Sequence, residues 1–189
     1  MGIEDNAASE TVIDAEGFRA NVGIIISRAD GRLLLARRVG HPGWQFPQGG
    51  VMPGEEPEQA LYRELHEEVG LEPGQVRLLG KTRDWLRYRL PLRYQRRTTP
   101  LCIGQKQLWF MLRLEAADSA VRLDAGGTPE FDSWRWVDYW EPLAEVIFFK
   151  RPVYRQALTE LAPLVFPRGA PRMPAERRGG RRRRRGARR

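Results

Sequence analysis

Apolar and polar positions along the chain change period several times, and each change predicts an element. Asn21–Ser27 (NVGIIIS) is a compact, β-branched run and reads as a strand. Asp30-Gly31 follows as a hairpin turn signal, and Leu33–Ala36 would be the returning strand. His41–Pro57 is rich in Gly and Pro and reads as an ordered loop. From about Glu56 to Val69 the pattern turns helical, with Leu61, Leu65 and Val69 at i, i+4 and i+8 and Gly70 at the C-terminal cap position. Val76–Gly80, Gln107–Glu115 and Ser133–Val137 read as further strands, the last with clean alternation. Pro152 opens a final helix that gathers Tyr154, Ala157, Leu158 and Leu161 on one face. There is no internal repeat. Strands on both sides of a central helix, with another helix at the end, predict a single α/β sandwich domain over 17–166. Residues 1–16 lack any period and are expected to be a flexible lead-in.

Composition changes this picture at the C-terminus. After Val165 the chain collapses to Arg, Gly, Pro and Ala, so 167–189 cannot bury enough apolar surface to order itself. The formal charge of +8 resides there: eleven arginines against Glu176 give that tail +10 and leave about −2 for 1–166. A hydrophobic share of 41% is normal for a globular domain. The chain shows neither a long apolar span nor a basic-then-apolar N-terminus, so no membrane association is expected and the cytoplasm is the expected compartment. The single Cys102 fits a reducing environment and reads as an inert thiol.

The candidate chemistry lies between Gly49 and Leu71, GGVMPGEEPEQALYRELHEEVGL. On a helix, Glu64, Glu67 and Glu68 fall within a sector of about 100°. Like charges at i, i+4 repel mildly, and multivalent cations convert that penalty into a binding site. Oxygen-only ligands point to Mg²⁺ or Mn²⁺, and Mg²⁺ shares its shell with water and substrate phosphates. A phosphoric anhydride is therefore the implied substrate. Leu61, Leu65 and Val69 cover an adjacent sector, which puts the carboxylates at the core's edge. Gly49 and Gly50 permit close backbone approach, and Glu55 and Arg63 carry opposite charges that could fix the loop to the helix. The competing reading is an acidic helix face that is merely solvated. The framework of Gly49, Glu55, Arg63 and Gly70 around the glutamates argues against it.

Those positions resemble the Nudix box, and the resemblance extends further. Glu16–Ile26, Trp44–Gly50, Asp84–Pro91, Cys102–Phe110, Thr128–Val137 and Phe148–Arg155 stand in the same order as in the bacterial RNA pyrophosphohydrolases. The resemblance implies a Nudix-type α/β/α sandwich with a mixed central sheet. It implies an enzyme that removes pyrophosphate from the 5′-triphosphate end of RNA, leaves a 5′-monophosphate and so promotes mRNA decay. Glu64, Glu67 and Glu68 match the metal-binding glutamates, and one of them, or Glu130, would bind metal or activate water. Arg19 and Arg38 match arginines that face the phosphates and the RNA end. Phe149 and Lys150 match a pair that stacks on a base and contacts phosphate. Gly43 departs from relatives that carry serine there.

Read without the resemblance, Phe149 is more readily a core residue, as are Trp44, Trp134 and Trp136. Arg83, Arg87, Arg89, Arg93, Arg96 and Arg97, interleaved with Trp85, Tyr88 and Tyr94, suggest a basic surface for RNA, with a solvated loop as the alternative. The tail, with five arginines at 181–185, would add salt-dependent affinity for RNA phosphates, or would only solubilise. Two other functions stay open: a dinucleoside polyphosphate hydrolase of the same fold, and an RNA-binding module with a dead active site.

Overall fold

The computed structural model describes residues 12–95 and 100–175. Strand β1 (Phe18–Ser27) is buried on both faces, which explains its unbroken apolar run. It lies parallel to the long strand β7 (Gly104–Leu114), with Phe18 opposite Gly104 and Ser27 opposite Arg113. Between them in sequence come β2 (Leu33–Arg38), β3 (Trp44–Gln45), β4 (Gln48–Gly50), helix α1 (Pro57–Val69), β5 (Val76–Lys81) and β6 (Leu86–Arg89). Strand β8 (Phe131–Val137), the short α2 (Pro142–Glu145) and α3 (Arg151–Val165) follow. All pairings other than β1–β7 are antiparallel, so the eight-stranded sheet is mixed, with β3-β2-β1-β7-β5 as its main path.

Each sheet face carries its own core. Val22, Ile24, Ile26, Leu34, Phe110 and Leu112 pack with Leu61, Leu65 and Val69 of α1. On the other face Ile25, Leu35, Trp109 and Met111 pack with Tyr154, Leu158 and Leu161 of α3. The stripes expected on both helices are thus the buried ones. Helix α1 starts at Pro57, where the Glu56 N–H donates to Gln59 Oε1 at 2.9 Å. It ends at Gly70, whose φ of 67° is left-handed and whose N–H returns to His66 O at 2.9 Å.

Three expectations need correction. The turn at Asp30-Gly31 exists, with Gly31 at φ 86°, but it joins strands that share only the pair Ser27–Leu33. Strand β1 finds its long partner in β7, and β2 finds its own in β8. The Gly/Pro-rich stretch contains β3 and β4, split by Pro47, whose carbonyl accepts the Ile24 N–H. The arginine-rich stretch contains β6, which buries Leu86 and Tyr88 and leaves Arg87 and Arg89 exposed. Contacts of the domain also reach residues outside 17–166. Val12 O accepts the Ala20 N–H, and Asp14 pairs with Lys106 at 2.9 Å. At the other end Trp140 Nε1 donates to Pro171 O at 2.6 Å, and Met173 packs on the α3 core. The lead-in before Val12 and the tail from 176 lie outside the described residues. Among the described residues, no helix is long and apolar enough to cross a membrane.

Leu65 is fully buried between α1 and the sheet. Leu65→Ala should lower stability by about 2–5 kcal/mol. A urea melt reads this as a lower midpoint, and an unchanged midpoint would remove Leu65 from the core.

Candidate active site

Arg63 organises the turn from β4 into α1. Its Nε and Nη2 donate to the two oxygens of Glu55 at 2.8 and 2.9 Å, a bidentate pair. Nη2 also donates to Gly50 O at 2.8 Å, and Nη1 reaches Glu64 at 2.6 Å and Glu67 at 3.3 Å. Glu55 accepts the Met52 N–H at 2.8 Å, closing the loop on itself. The Arg63 guanidinium holds the Glu55 carboxyl below its ordinary range.

Of the glutamates on α1, two are drawn inward. Glu68 is 5% exposed and accepts the Gln48 N–H at 2.7 Å. Burial pushes its carboxyl well above the usual range, and the charges of Glu64 and Glu130 push it further. Glu64 lies against Gly49: a Cβ on that glycine would sit 1.7 Å from the Glu64 carboxyl carbon. Its carboxyl is also raised, because burial outweighs the pull of Arg63. Glu67 is exposed. Glu130, just before β8, is exposed as well and faces Arg38 at 3.6 Å.

Cations and amides approach the same carboxylates from the other side. Lys150 is 8% exposed, and its Nζ donates to Gln48 Oε1 at 3.0 Å and Gln45 Oε1 at 3.3 Å. Burial and the charge of Arg38 lower its pKa to about 8, although Glu68 opposes the shift. A buried amide row continues from Gln48 across the sheet. Gln107 Nε2 donates to Asn21 Oδ1 at 2.7 Å and lies 3.4 Å from Gln48 Oε1. Arg19, two residues before Asn21 on the same face of β1, has a buried Nε with no hydrogen-bond partner among the described residues. Phe149 is half-buried beside Tyr88 and Tyr94, with ring centroids 5.9 and 5.0 Å apart.

The structure therefore brings Glu64, Glu67, Glu68 and Glu130 together with Arg38 and Lys150, while Arg19 stands further along the sheet. Gln45, Gln48, Asn21 and Gln107 escape the sequence reading. For Asn21 and Gln107 the one signal is an amide on the buried face of an otherwise apolar strand, and Gln45 and Gln48 carry no such signal. Trp44, Trp134 and Trp136 are half-buried at the margins of the two cores. Cys102 is half-buried, and its thiol donates to Gly104 O at 3.2 Å.

Among the described residues no group of three or more His, Cys, Asp or Glu side chains stands close enough together to hold a metal ion. The donor set is nevertheless all oxygen, and two of its carboxyls, buried Glu68 and half-buried Glu64, are raised in pKa in a way that a neighbouring cation would relieve. This fits a hard divalent cation that keeps water and phosphate oxygens in its shell.

Gly49→Ala should displace the Glu64 carboxylate and lower the melting temperature. Gly43→Ala, where a Cβ meets nothing within 4 Å, should leave it unchanged. Equal melting temperatures for both variants and the parent would contradict the Gly49–Glu64 packing.

The NUDIX domain family model matches residues 17–157. A protein of Thioalkalivibrio sulfidiphilus named RNA pyrophosphohydrolase is 59% identical, the match covering 89% of this chain and 99% of the relative. A protein of that name from Halorhodospira halophila is 64% identical, covering 80% and 83%. Among solved structures, the E. coli dihydroneopterin triphosphate pyrophosphohydrolase superposes with a TM-score of 0.61 at 22% identity, covering 74% of this chain and 94% of that one. A C. elegans Ap4A hydrolase does so with a TM-score of 0.55 at 22% identity, covering 72% and 93%. At that identity the two structures speak for the fold alone. Family model, long relatives and fold agree, and the chain belongs to the Nudix family of hydrolases.

Proposed function

We propose that this chain is an RNA pyrophosphohydrolase, which removes pyrophosphate from the 5′-triphosphate end of RNA to leave a 5′-monophosphate, promoting mRNA decay. The observation that carries this reading is the meeting of two opposite clusters. Buried Glu68, with half-buried Glu64 beside it, meets buried Lys150 and Arg38 across Gln48, an arrangement suited to a cation on one side and phosphates on the other. Relatives 58–64% identical over most of the chain, named RNA pyrophosphohydrolase, favour RNA as the polyphosphate.

Glu64, Glu67 and Glu68, with Glu130 at the rim, would hold Mg²⁺ or Mn²⁺. The bound ion supplies charge for the phosphate oxygens and lowers the pKa of a water. The protein's share is positioning, because phosphoryl transfer leaves it little covalent work. Glu64 and Glu68 are fixed by Arg63, Gly49 and the Gln48 N–H. Glu67 and Glu130 keep solvent access and can take a proton from water at a carboxylate oxygen. Arg38 and Lys150 bind phosphate oxygens on the opposite side, and Arg19 extends that cationic line with an Nε free to donate. Phe149 offers its ring to the first base. The Arg-rich tail adds sequence-independent attraction for RNA phosphates.

A hydrolase of dinucleoside polyphosphates would use the same site. Comparing 5′-triphosphorylated RNA with diadenosine polyphosphate at equal concentrations in Mg²⁺ separates the two. Faster release of pyrophosphate from the RNA supports the proposal, and preference for the dinucleotide sinks it. Metal-dependent release of either kind rules out an inactive RNA-binding module. Glu67→Gln should lower turnover by orders of magnitude while the melting temperature holds, and a near-parental rate would remove this carboxylate from the reaction. Deleting 176–189, which spares the docked segment to Ala175, should weaken RNA binding and flatten its salt dependence without changing the chemical step. An unchanged salt slope would leave the tail without this role.

A further inference from the structure

Beside the candidate site, a run of rings leads from Lys150 out to solvent. The Lys150 ammonium lies 5.9 Å over the Tyr88 ring, Tyr88 meets Phe149, and Phe149 meets both Tyr94 at 5.0 Å and Phe148 at 5.4 Å. Exposure rises along this run. Tyr88 is 6% exposed, Phe149 half-buried, Tyr94 41% and Phe148 51% exposed. Core packing explains the inner rings but not the outer two. The Arg93 guanidinium caps that outer pair, 5.0 Å over Tyr94 and 5.9 Å over Phe148. An exposed aromatic surface roofed by a cation suits a ligand that is planar and apolar in one part and anionic in the next. Single-stranded nucleic acid has that chemistry, since bases stack on rings while phosphates pair with arginine.

We propose that Tyr94, Phe148 and Arg93 form a second platform, which takes nucleotides beyond the second from the 5′ end of a single-stranded RNA. The proposal rests on the reading of this site as an RNA pyrophosphohydrolase and extends it to how much of the strand is held. Three features commit the surface to RNA. It is continuous with Lys150 and Phe149, so a strand whose phosphates sit at Lys150 passes over it. Its only charge in these contacts is positive. In the amino-acid sequence the flanking stretch 83–95 carries Arg83, Arg87, Arg89 and Arg93 against the single acid Asp84, and of these Arg87 is paired with Glu16.

The test uses the full-length protein with 5′-triphosphorylated oligonucleotides of two and five nucleotides. Hydrolysis is measured in Mg²⁺, and binding is measured by fluorescence anisotropy without divalent metal. The parent should prefer the pentanucleotide, with the advantage appearing in KM and Kd rather than kcat. Phe148→Ala and Tyr94→Ala should each erase roughly tenfold of that advantage, the weight of one stacked base. Both variants should process the dinucleotide at the parental rate. Arg93→Ala should also flatten the salt dependence for the pentanucleotide, and Arg93→Lys should restore it in part. Equal effects of the variants on both lengths, or no length preference in the parent, would overturn the platform while leaving the activity standing. Length-dependent binding without any hydrolysis would keep the platform and defeat the activity. If Phe148→Ala instead turned a dimer into a monomer in sedimentation, the patch would belong to a second copy of this chain and the proposal would fall.

Discussion

The five-point grip of Arg63 is the constraint on which the rest of this site depends. One guanidinium holds both oxygens of Glu55, the carbonyl of Gly50, and the carboxylates of Glu64 and Glu67. A loop with two Gly-Gly and Pro-Gly steps has high conformational entropy, and a helix with three glutamates in a turn and a half repels itself. A planar donor with five N–H groups addresses both problems at once, which an ammonium could not. Because Glu55 is also tied to the Met52 N–H, the loop becomes part of the helix's rigid frame.

That frame sets the electrostatics. Glu64 and Glu68 are pulled out of water along with the leucine stripe that anchors α1, and burial raises both carboxyls. Lys150 is lowered from the other side by the same loss of water. The amide row of Gln45, Gln48 and Gln107 lies between these groups. Gln48 offers its side-chain carbonyl to Lys150 and its backbone N–H to Glu68, so each of these two charges has a dipole beside it. The position of Lys150 in turn depends on α3. Its first turn is seated by Tyr154, whose ring stacks on Phe46 at 5.0 Å and whose hydroxyl accepts the Phe46 N–H. Packing on one face of the sheet thereby places a charge that works with carboxylates on the other.

Much of this was legible in the amino-acid sequence. The helix from Pro57 to Val69, its apolar stripe, its glycine stop and the gathering of three glutamates all follow from residue spacing on a 3.6-residue period. The opposite charges of Glu55 and Arg63 pointed to the tie between loop and helix. The strands around Ile24, Leu34, Leu78, Phe110 and Trp134 were visible because β-branched and aromatic runs leave few alternatives. Local pattern is enough for such features because the interactions that decide them span only a few residues.

Strand pairing was not legible. The Asp-Gly turn reads as a hairpin, yet β1 pairs over its whole length with β7, more than eighty residues away. A strand buried on both faces gains more from a long buried neighbour than from the strand that follows it. The amides of Asn21, Gln48 and Gln107 were invisible as site residues for the same reason, since they acquire meaning only when β1, β4 and β7 lie side by side. The sequence by itself determined the carboxylate helix and its locking arginine, whose geometry is local. Only the tertiary structure decided which cations, amides and rings stand opposite, because those contacts join segments that the chain brings together after it folds.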